Sequence, residues 1–179
     1  MSLTIRPGTP EDLDALERLY GEVCGHMAAT VNYCGWKKDV YPARQDAEAG
    51  IRDGGLFLAE ENGEAAGSFI LSPRQEDAYR GGQWPSDLPE GDVLAIYTFT
   101  VHPRHRGQGV GRAMLGFAAR HASERGVKAL RLDVYEKNLP AIRLYESAGF
   151  RYAGAVSLGL EDIGLGWFRL YEKVLDHSN

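Results

Sequence analysis

Cysteine is scarce in this chain of 179 residues, with only Cys24 and Cys34 present. Two thiols make no disulfide framework, and they read as reduced side chains in or near the core of a cytosolic protein rather than as a reactive motif. The start, Met1-Ser2-Leu3-Thr4-Ile5-Arg6-Pro7, lacks an apolar core segment, so no secretory signal is expected. No stretch approaches the roughly 18 consecutive apolar residues of a membrane span, so no membrane partner is expected. Basic charge is not in excess either. The net charge is −5 and the pI 5.5, which argues against nucleic acid, because phosphate-backbone binding needs a broad basic face. Repeats and low-complexity tracts are absent. What remains is 44% hydrophobic and 25% charged, the balance of an ordinary globular chain, and its length fits one domain over 1–179. The positive charge that exists is local: His102, Arg104, His105, Arg106 and Arg112 crowd one short segment. That pattern suits a small polyanion better than a polymer.

Periodicity and punctuation predict a mixed fold. Leu3–Arg6 reads as a strand. Thr9 caps a helix with Pro10 in its first turn and Leu13, Leu16, Leu19, Tyr20 and Val23 on its apolar face. Residues 25–42 are expected to be irregular, and Arg44–Arg52 a second helix. Asn62-Gly63 between two apolar runs predicts a hairpin, Leu56–Glu60 with Ala65–Ser72. Residues 73–92 form a long polar loop, which a compact domain keeps for function or leaves disordered. Val93–Val101 reads as a central strand. Gly109–Arg125 reads as a helix with Val110, Ala113, Met114, Phe117 and Ala118 inward, and Lys128–Tyr135 as a parallel strand, giving a right-handed crossover. Asn138–Ala148 is a further helix. Phe150–Leu158 and Trp167–Val174 make a closing antiparallel pair. The fold class is α/β or α+β, with a helix-covered mixed sheet.

The chemistry is expected where Val93–Val101 feeds the next helix, at Arg106-Gly107-Gln108-Gly109-Val110-Gly111. Glycines there clear side chains from a turn whose N–H groups have no partner inside the helix. Those amides and the helix dipole favour an anion, and Arg106 and Arg112 add charge-assisted bonds. A diphosphate is the expected group, and a tight packing turn is the plain alternative. A nucleoside-triphosphate loop would need Lys followed by Ser or Thr after the last glycine, where Arg112-Ala113 stands. A dinucleotide fingerprint fails at its third glycine, so a nicotinamide oxidoreductase is set aside.

The run Val101-His102-Pro103-Arg104-His105-Arg106-Gly107-Gln108-Gly109-Val110-Gly111 resembles motif A of the GNAT N-acetyltransferase superfamily, with Arg106, Gly109 and Gly111 in the Gln/Arg-x-x-Gly-x-Gly/Ala positions. Asn138-Leu139-Pro140-Ala141-Ile142-Arg143-Leu144-Tyr145-Glu146-Ser147-Ala148-Gly149-Phe150 resembles its motif B. The resemblance implies a mostly antiparallel central sheet of six to seven strands flanked by helices, with a splayed parallel pair at its centre. It implies acetyl-CoA as cosubstrate, no metal, and direct transfer of the acetyl group to a primary amine of a small molecule or peptide. In that scheme the backbone of Phe99, Thr100 and Val101 pairs with the pantetheine arm. The amides of Gly107, Gln108, Gly109, Val110, Gly111 and Arg112, with Arg106, hold the diphosphate. Asn138 bonds the pantetheine or its surroundings, and Tyr145 gives a proton to the departing thiolate. A phenol of pKa about 10 is protonated at neutral pH and can serve a thiolate of pKa about 8.5; without motif B the same residue reads as a core aromatic. A homodimer is the default assembly.

One feature of the family pattern is missing. Members often carry a glutamate on the strand before motif A as general base, and Ala95-Ile96-Tyr97-Thr98-Phe99-Thr100-Val101 has no acid. Asp92, Asp133, His26, Glu76 and Asp77 stand as alternatives, each with a structural or solvated reading beside it, and an amine bound partly deprotonated needs no base. Tyr97 and Thr98 could line the acceptor pocket, and Trp36, Tyr41, Tyr79 and Trp84 could wall it or pack the helices. The missing acid also keeps open a non-catalytic acyl-CoA-binding or sensor module.

Overall fold

The computed structural model describes residues 2–176. The described chain holds seven strands: β1 (Leu3–Pro7), β2 (Leu56–Glu61), β3 (Glu64–Ser72), β4 (Val93–Val101), β5 (Ala129–Tyr135), β6 (Arg151–Val156) and β7 (Phe168–Val174). It holds four α-helices: α1 (Leu13–Ala29), α2 (Arg44–Arg52), α3 (Val110–Ser123) and α4 (Leu139–Ser147). Strands that hydrogen-bond to one another follow the order β1-β2-β3-β4-β5-β7-β6, and β4 with β5 is the parallel pair. The chain divides into two compact units. One runs from the N-terminus through Asn32 and adds Trp36–Leu71 and Tyr97–Phe117; the other holds Tyr33–Gly35, Ser72–Ile96 and the chain from Ala118 onward.

In the first unit, β1 lies antiparallel to β2 and β2 antiparallel to β3. Asn62 and Gly63 turn the hairpin with φ of 54° and 80°, the paired left-handed conformation that matches the twist of the flanking strands. Phe57, Phe69 and Phe117 form its aromatic core, with Phe57 centroids 5.4 Å from Phe69 and 5.3 Å from Phe117. Thr9 does not cap α1 directly. A 3-10 turn over Pro10–Asp12 comes first, with Thr9 at its N-cap, and the Asp12 carboxylate closes that turn by accepting from the Thr9 amide at 2.8 Å and from both Arg6 terminal nitrogens. The Arg6 bonds hold Asp12 down to about 2. Helix α1 also runs past Cys24 to Ala29, correcting the expected irregular segment from residue 25. The stripe Leu16, Leu19, Tyr20, Val23 and Cys24 continues to buried Met27, and burial outweighs the poor helix propensity of Gly21 and Gly25.

In the second unit, β5 pairs with β7 over seven residues, from Ala129–Val174 to Tyr135–Phe168, and β6 flanks β7. Leu130, Leu132 and Val134 on one face of β5 are buried. The opposite face carries Arg131, Asp133 and Tyr135, as the two-residue alternation of a strand requires. Arg131 is buried against Glu172, its Nε 2.7 Å from the Glu172 carboxylate, and its guanidinium lies 4.1 Å from the centre of the Trp84 ring. The 73–92 segment is ordered by its own contacts. A 3-10 turn over Asp77–Gly81 buries Tyr79, the Gln83 amide donates to the Ala153 carbonyl at 2.7 Å, and the Ser86 amide donates to Glu172 at 2.9 Å.

Helix α3 starts at Val110 and buries Val110, Met114, Leu115, Ala118 and Ala122. Ala113, expected inward, is exposed, because the buried stripe falls on the other side of the first turn. No helix among the described residues is long and apolar enough to cross a membrane.

Candidate active site

Strand β4 changes character along its length. Its ladder with β5 covers three pairs, Val93–Ala129 to Ala95–Arg131. Three residues later Thr98 has φ 51°, an outlying conformation for a β-branched residue. The Thr98 hydroxyl sits 2.6 Å from the Tyr41 hydroxyl, a contact that holds the bend in place. Beyond it, Thr100 is buried with its hydroxyl donating to the Ser68 carbonyl at 3.1 Å, and the His102 amide donates to the Ala66 carbonyl at 2.8 Å. Phe99 and Val101 are half-buried.

The turn after β4 has the shape that its glycines suggested. Gly107 and Gly109 adopt φ of 74° and 83°, and a Cβ added at either would meet open space. Both lie exposed beside Arg106, Gln108 and Arg112, while Val110 and Gly111 are buried at the start of α3. Ala113 makes the first helical bond of this turn, donating to the Gly109 carbonyl at 2.9 Å. The amides of Val110, Gly111 and Arg112 precede it and have no acceptor inside the helix. Gln108 uses its side chain locally, donating to the Arg104 carbonyl at 2.8 Å.

The positive cluster of this segment is smaller than its composition suggested. His102 pairs with Glu22 through Nε2 and accepts the Arg104 amide through Nδ1, and His105 Nδ1 lies 2.8 Å from a Glu61 carboxylate oxygen. His102 holds the Glu22 carboxyl below its ordinary range. The exposed charge left to a ligand comes from the arginines.

In the second unit, Asn138 and Tyr145 stand on α4. Asn138 caps the helix, its Oδ1 accepting from the Ala141 amide at 3.3 Å, while its Nδ2 faces the Cys34 sulfur at 3.7 Å. Both ends of the carboxamide therefore have protein partners, which the motif alone did not reveal. Tyr145 is buried, with its ring 6.1 Å from that of Phe150. Burial first, then the electrostatic influence of the neighbouring Cys34 and Asp133, push its hydroxyl well above the ordinary phenol range, so it stays protonated.

Strand β4 has no acid, and Asp133 stands on the neighbouring strand β5. It retains partial exposure, and its carboxylate accepts from the Tyr79 hydroxyl at 2.6 Å. Desolvation raises its pKa to about 6, with the Glu76 charge adding to the rise and the Tyr79 bond opposing it. Tyr79 is fixed in turn by its own carbonyl, which accepts the Trp84 indole N–H at 2.9 Å. Of the aromatic residues considered for the acceptor pocket, Tyr79 and Trp84 thus belong to the second unit. Trp36 and Tyr41 meet edge to face in the first, 5.9 Å between centroids. Among the described residues no group of three His, Cys, Asp or Glu could hold a metal ion.

The profile of the acetyltransferase (GNAT) family matches residues 16–150, which takes in the glycine turn, Asp133, Asn138 and Tyr145. The chain belongs to the GNAT acetyltransferase family. A mycothiol acetyltransferase of Thermomonospora curvata is 36% identical over 119 residues, 66% of this chain and 35% of that protein. The chain therefore spans about a third of the length of that relative. A GNAT-family acetyltransferase structure from Streptococcus agalactiae superposes with a TM-score of 0.80 at 24% identity, covering 97% of this chain and 96% of that one. A Salmonella typhimurium acetyltransferase, solved with its cofactor acetyl-CoA, superposes with a TM-score of 0.70 at 21% identity, covering 100% and 97%. Both share the fold of this GNAT chain.

Proposed function

We propose that this GNAT chain, acting as one domain over 1–179, transfers the acetyl group of acetyl-CoA directly to a primary amine of a small molecule or peptide. The observation that carries the reading is the turn at 107–112. Two left-handed glycines with open space above them, three amides without helical acceptors and the flanking Arg106 and Arg112 suit a diphosphate. That fit rests on the chain's own conformation. The Salmonella neighbour's acetyl-CoA supports the same assignment.

Residue roles follow from this. Gly107, Gln108, Gly109, Val110, Gly111 and Arg112 present backbone N–H groups to the diphosphate, and Arg106 adds charge. Phe99, Thr100 and Val101 offer backbone groups to the pantetheine arm in the manner of an added strand. Bound acetyl-CoA supplies an activated thioester whose carbonyl a β4 backbone N–H can polarise. Asn138 fixes the first turn of α4 and thereby sets where Tyr145 stands. Tyr145 keeps its proton until the sulfur leaves, and then gives it up. The scheme needs positioning and two proton transfers, and no metal. The acceptor is an amine, as in the N-acetyltransferases of this family, and a cytoplasmic location and a homodimer complete the reading.

The test is an initial-rate study on an amine that supports release of free thiol from acetyl-CoA. Intersecting double-reciprocal lines are expected for direct transfer in a ternary complex. Parallel lines would mean that the acetyl group rests on the protein between two half-reactions, and would overturn the direct mechanism.

A further inference from the structure

We propose that Asp133, held by the Tyr79 hydroxyl, is the residue that binds the ammonium of the acceptor and removes its proton. The proposal rests on the acetyl-transfer reading above and names the acceptor half of that same reaction.

The geometry behind it lies within one unit. Asp133 projects from the face of β5 that also carries Arg131 and Tyr135, opposite Leu170 on β7. Titratable or charged groups approach it from several elements: Tyr79 and Glu76 from the 73–92 segment, Tyr145 from α4, and Cys34 near Tyr145 from the 33–35 loop. On the sheet itself, Arg131 is engaged by Glu172 and by Gln75, whose oxygen accepts from Arg131 at 3.2 Å. Among the described residues no cation pairs with Asp133. A carboxylate placed in a desolvated position without a counter-ion favours a cationic ligand, and Glu76 beside it adds to the attraction. An ammonium brought to Asp133 would regain the charge partner that the fold withholds. The carboxyl pKa of about 6 leaves it ionised at neutral pH yet basic enough to accept a proton. Asp133 also lies close enough to Tyr145 for its charge to raise the phenol, so the proton acceptor and the proton donor of the scheme share one small region.

Asp133 takes one proton from the R–NH3+ group, and the freed nitrogen lone pair forms the N–C bond to the acetyl carbon. The C–S bond breaks with its electron pair on sulfur, and Tyr145 protonates that sulfur. Nitrogen loses its second proton to solvent, the Tyr145 phenolate regains one from solvent, and Asp133 returns its proton to water. One net proton is released per amide formed from an ammonium.

The experiment measures kcat/KM against pH for the wild type, Asp133→Asn and Tyr79→Phe, with an amine found active on the wild type, and measures coenzyme A affinity of each by calorimetry. Asp133→Asn is expected to lose about 10²–10⁴-fold in kcat/KM and to lose the acidic limb near pH 6, with coenzyme A affinity unchanged. Tyr79→Phe is expected to keep most of the plateau rate while its acidic limb moves to higher pH, because the bond it removes stabilises the carboxylate. Intact coenzyme A binding shows that each variant is folded. Asp133→Asn with wild-type rate and an unchanged limb would overturn the role of Asp133 and leave the transfer reading standing. No thiol release by the wild type with any amine would overturn the transfer reading, and this proposal with it.

Discussion

Replacing Asp133 by Asn should change stability as well as chemistry, and the change should depend on pH in a defined direction. The folded protein raises the carboxyl from 3.8 to about 6. At about 1.4 kcal/mol per tenfold ratio this is an upper bound of about 3 kcal/mol, and the partial exposure of the residue reduces it to about 1–3 kcal/mol. Between those two values the folded state holds a proton that the unfolded chain has released, so wild-type stability falls as pH rises through that window. Above it the full cost of the desolvated carboxylate is present. Asparagine has no such cost and keeps an oxygen for the Tyr79 hydroxyl. Thermal unfolding of both proteins, followed by circular dichroism from about pH 4 to 7, should show Asp133→Asn gaining about 2–10 °C on the wild type across the range. Comparing the two at each pH cancels other groups, including Asp12, whose stabilising ion pair with Arg6 is lost only as pH falls toward 2. A difference in Tm that stays constant with pH would mean that Asp133 titrates alike in the folded and unfolded chains, and that its burial costs nothing.

Three further outcomes are expected. Gly109→Ala forces an L side chain into φ 83°, which costs about 1–2 kcal/mol, so calorimetry should show coenzyme A bound about tenfold more weakly; an unchanged affinity would remove the turn from the diphosphate site. Tyr145→Phe should slow turnover by about 10²–10⁴-fold while coenzyme A affinity stays near wild type, and a wild-type rate would end its role as proton donor. Arg131→Ala leaves the Glu172 carboxylate buried without its partner and should cost about 3–5 kcal/mol, read as a Tm loss of about 6–20 °C; a loss of a degree or two would mean that water screens the pair.

Where local signals dominate, the sequence was enough to fix the element. Helix α2 and strand β4 fall at the expected Arg44–Arg52 and Val93–Val101 boundaries, and the Asn62-Gly63 turn follows from its dipeptide. The glycine turn was legible because positive φ and missing side chains are written in the residue type. Tertiary effects were hidden. Helix α1 continues because Met27 finds a buried place, which no propensity records. His102 is engaged by Glu22, 80 positions away, so a basic cluster in sequence became two histidine–acid pairs and a few exposed arginines. The left-handed φ of Thr98 lies inside a strand that reads as regular. Tyr79 and Asp133 are 54 positions apart, and their bond is set by the ordering of a polar loop that carries no periodic signal. The family resemblance named candidate cofactor residues, and it could not name an acid on β4, where the strand has none; the candidate acid, Asp133, stands on β5.

Acetyl transfer to an amine is tested by release of free thiol from acetyl-CoA by the wild-type protein across a panel of primary amines, with the products checked by mass spectrometry. Thiol release that saturates with amine concentration is expected, with an N-acetylated amine in equal amount. Coenzyme A bound with normal affinity, but no amine-dependent thiol release from any member of the panel, would contradict it and point to a binding module.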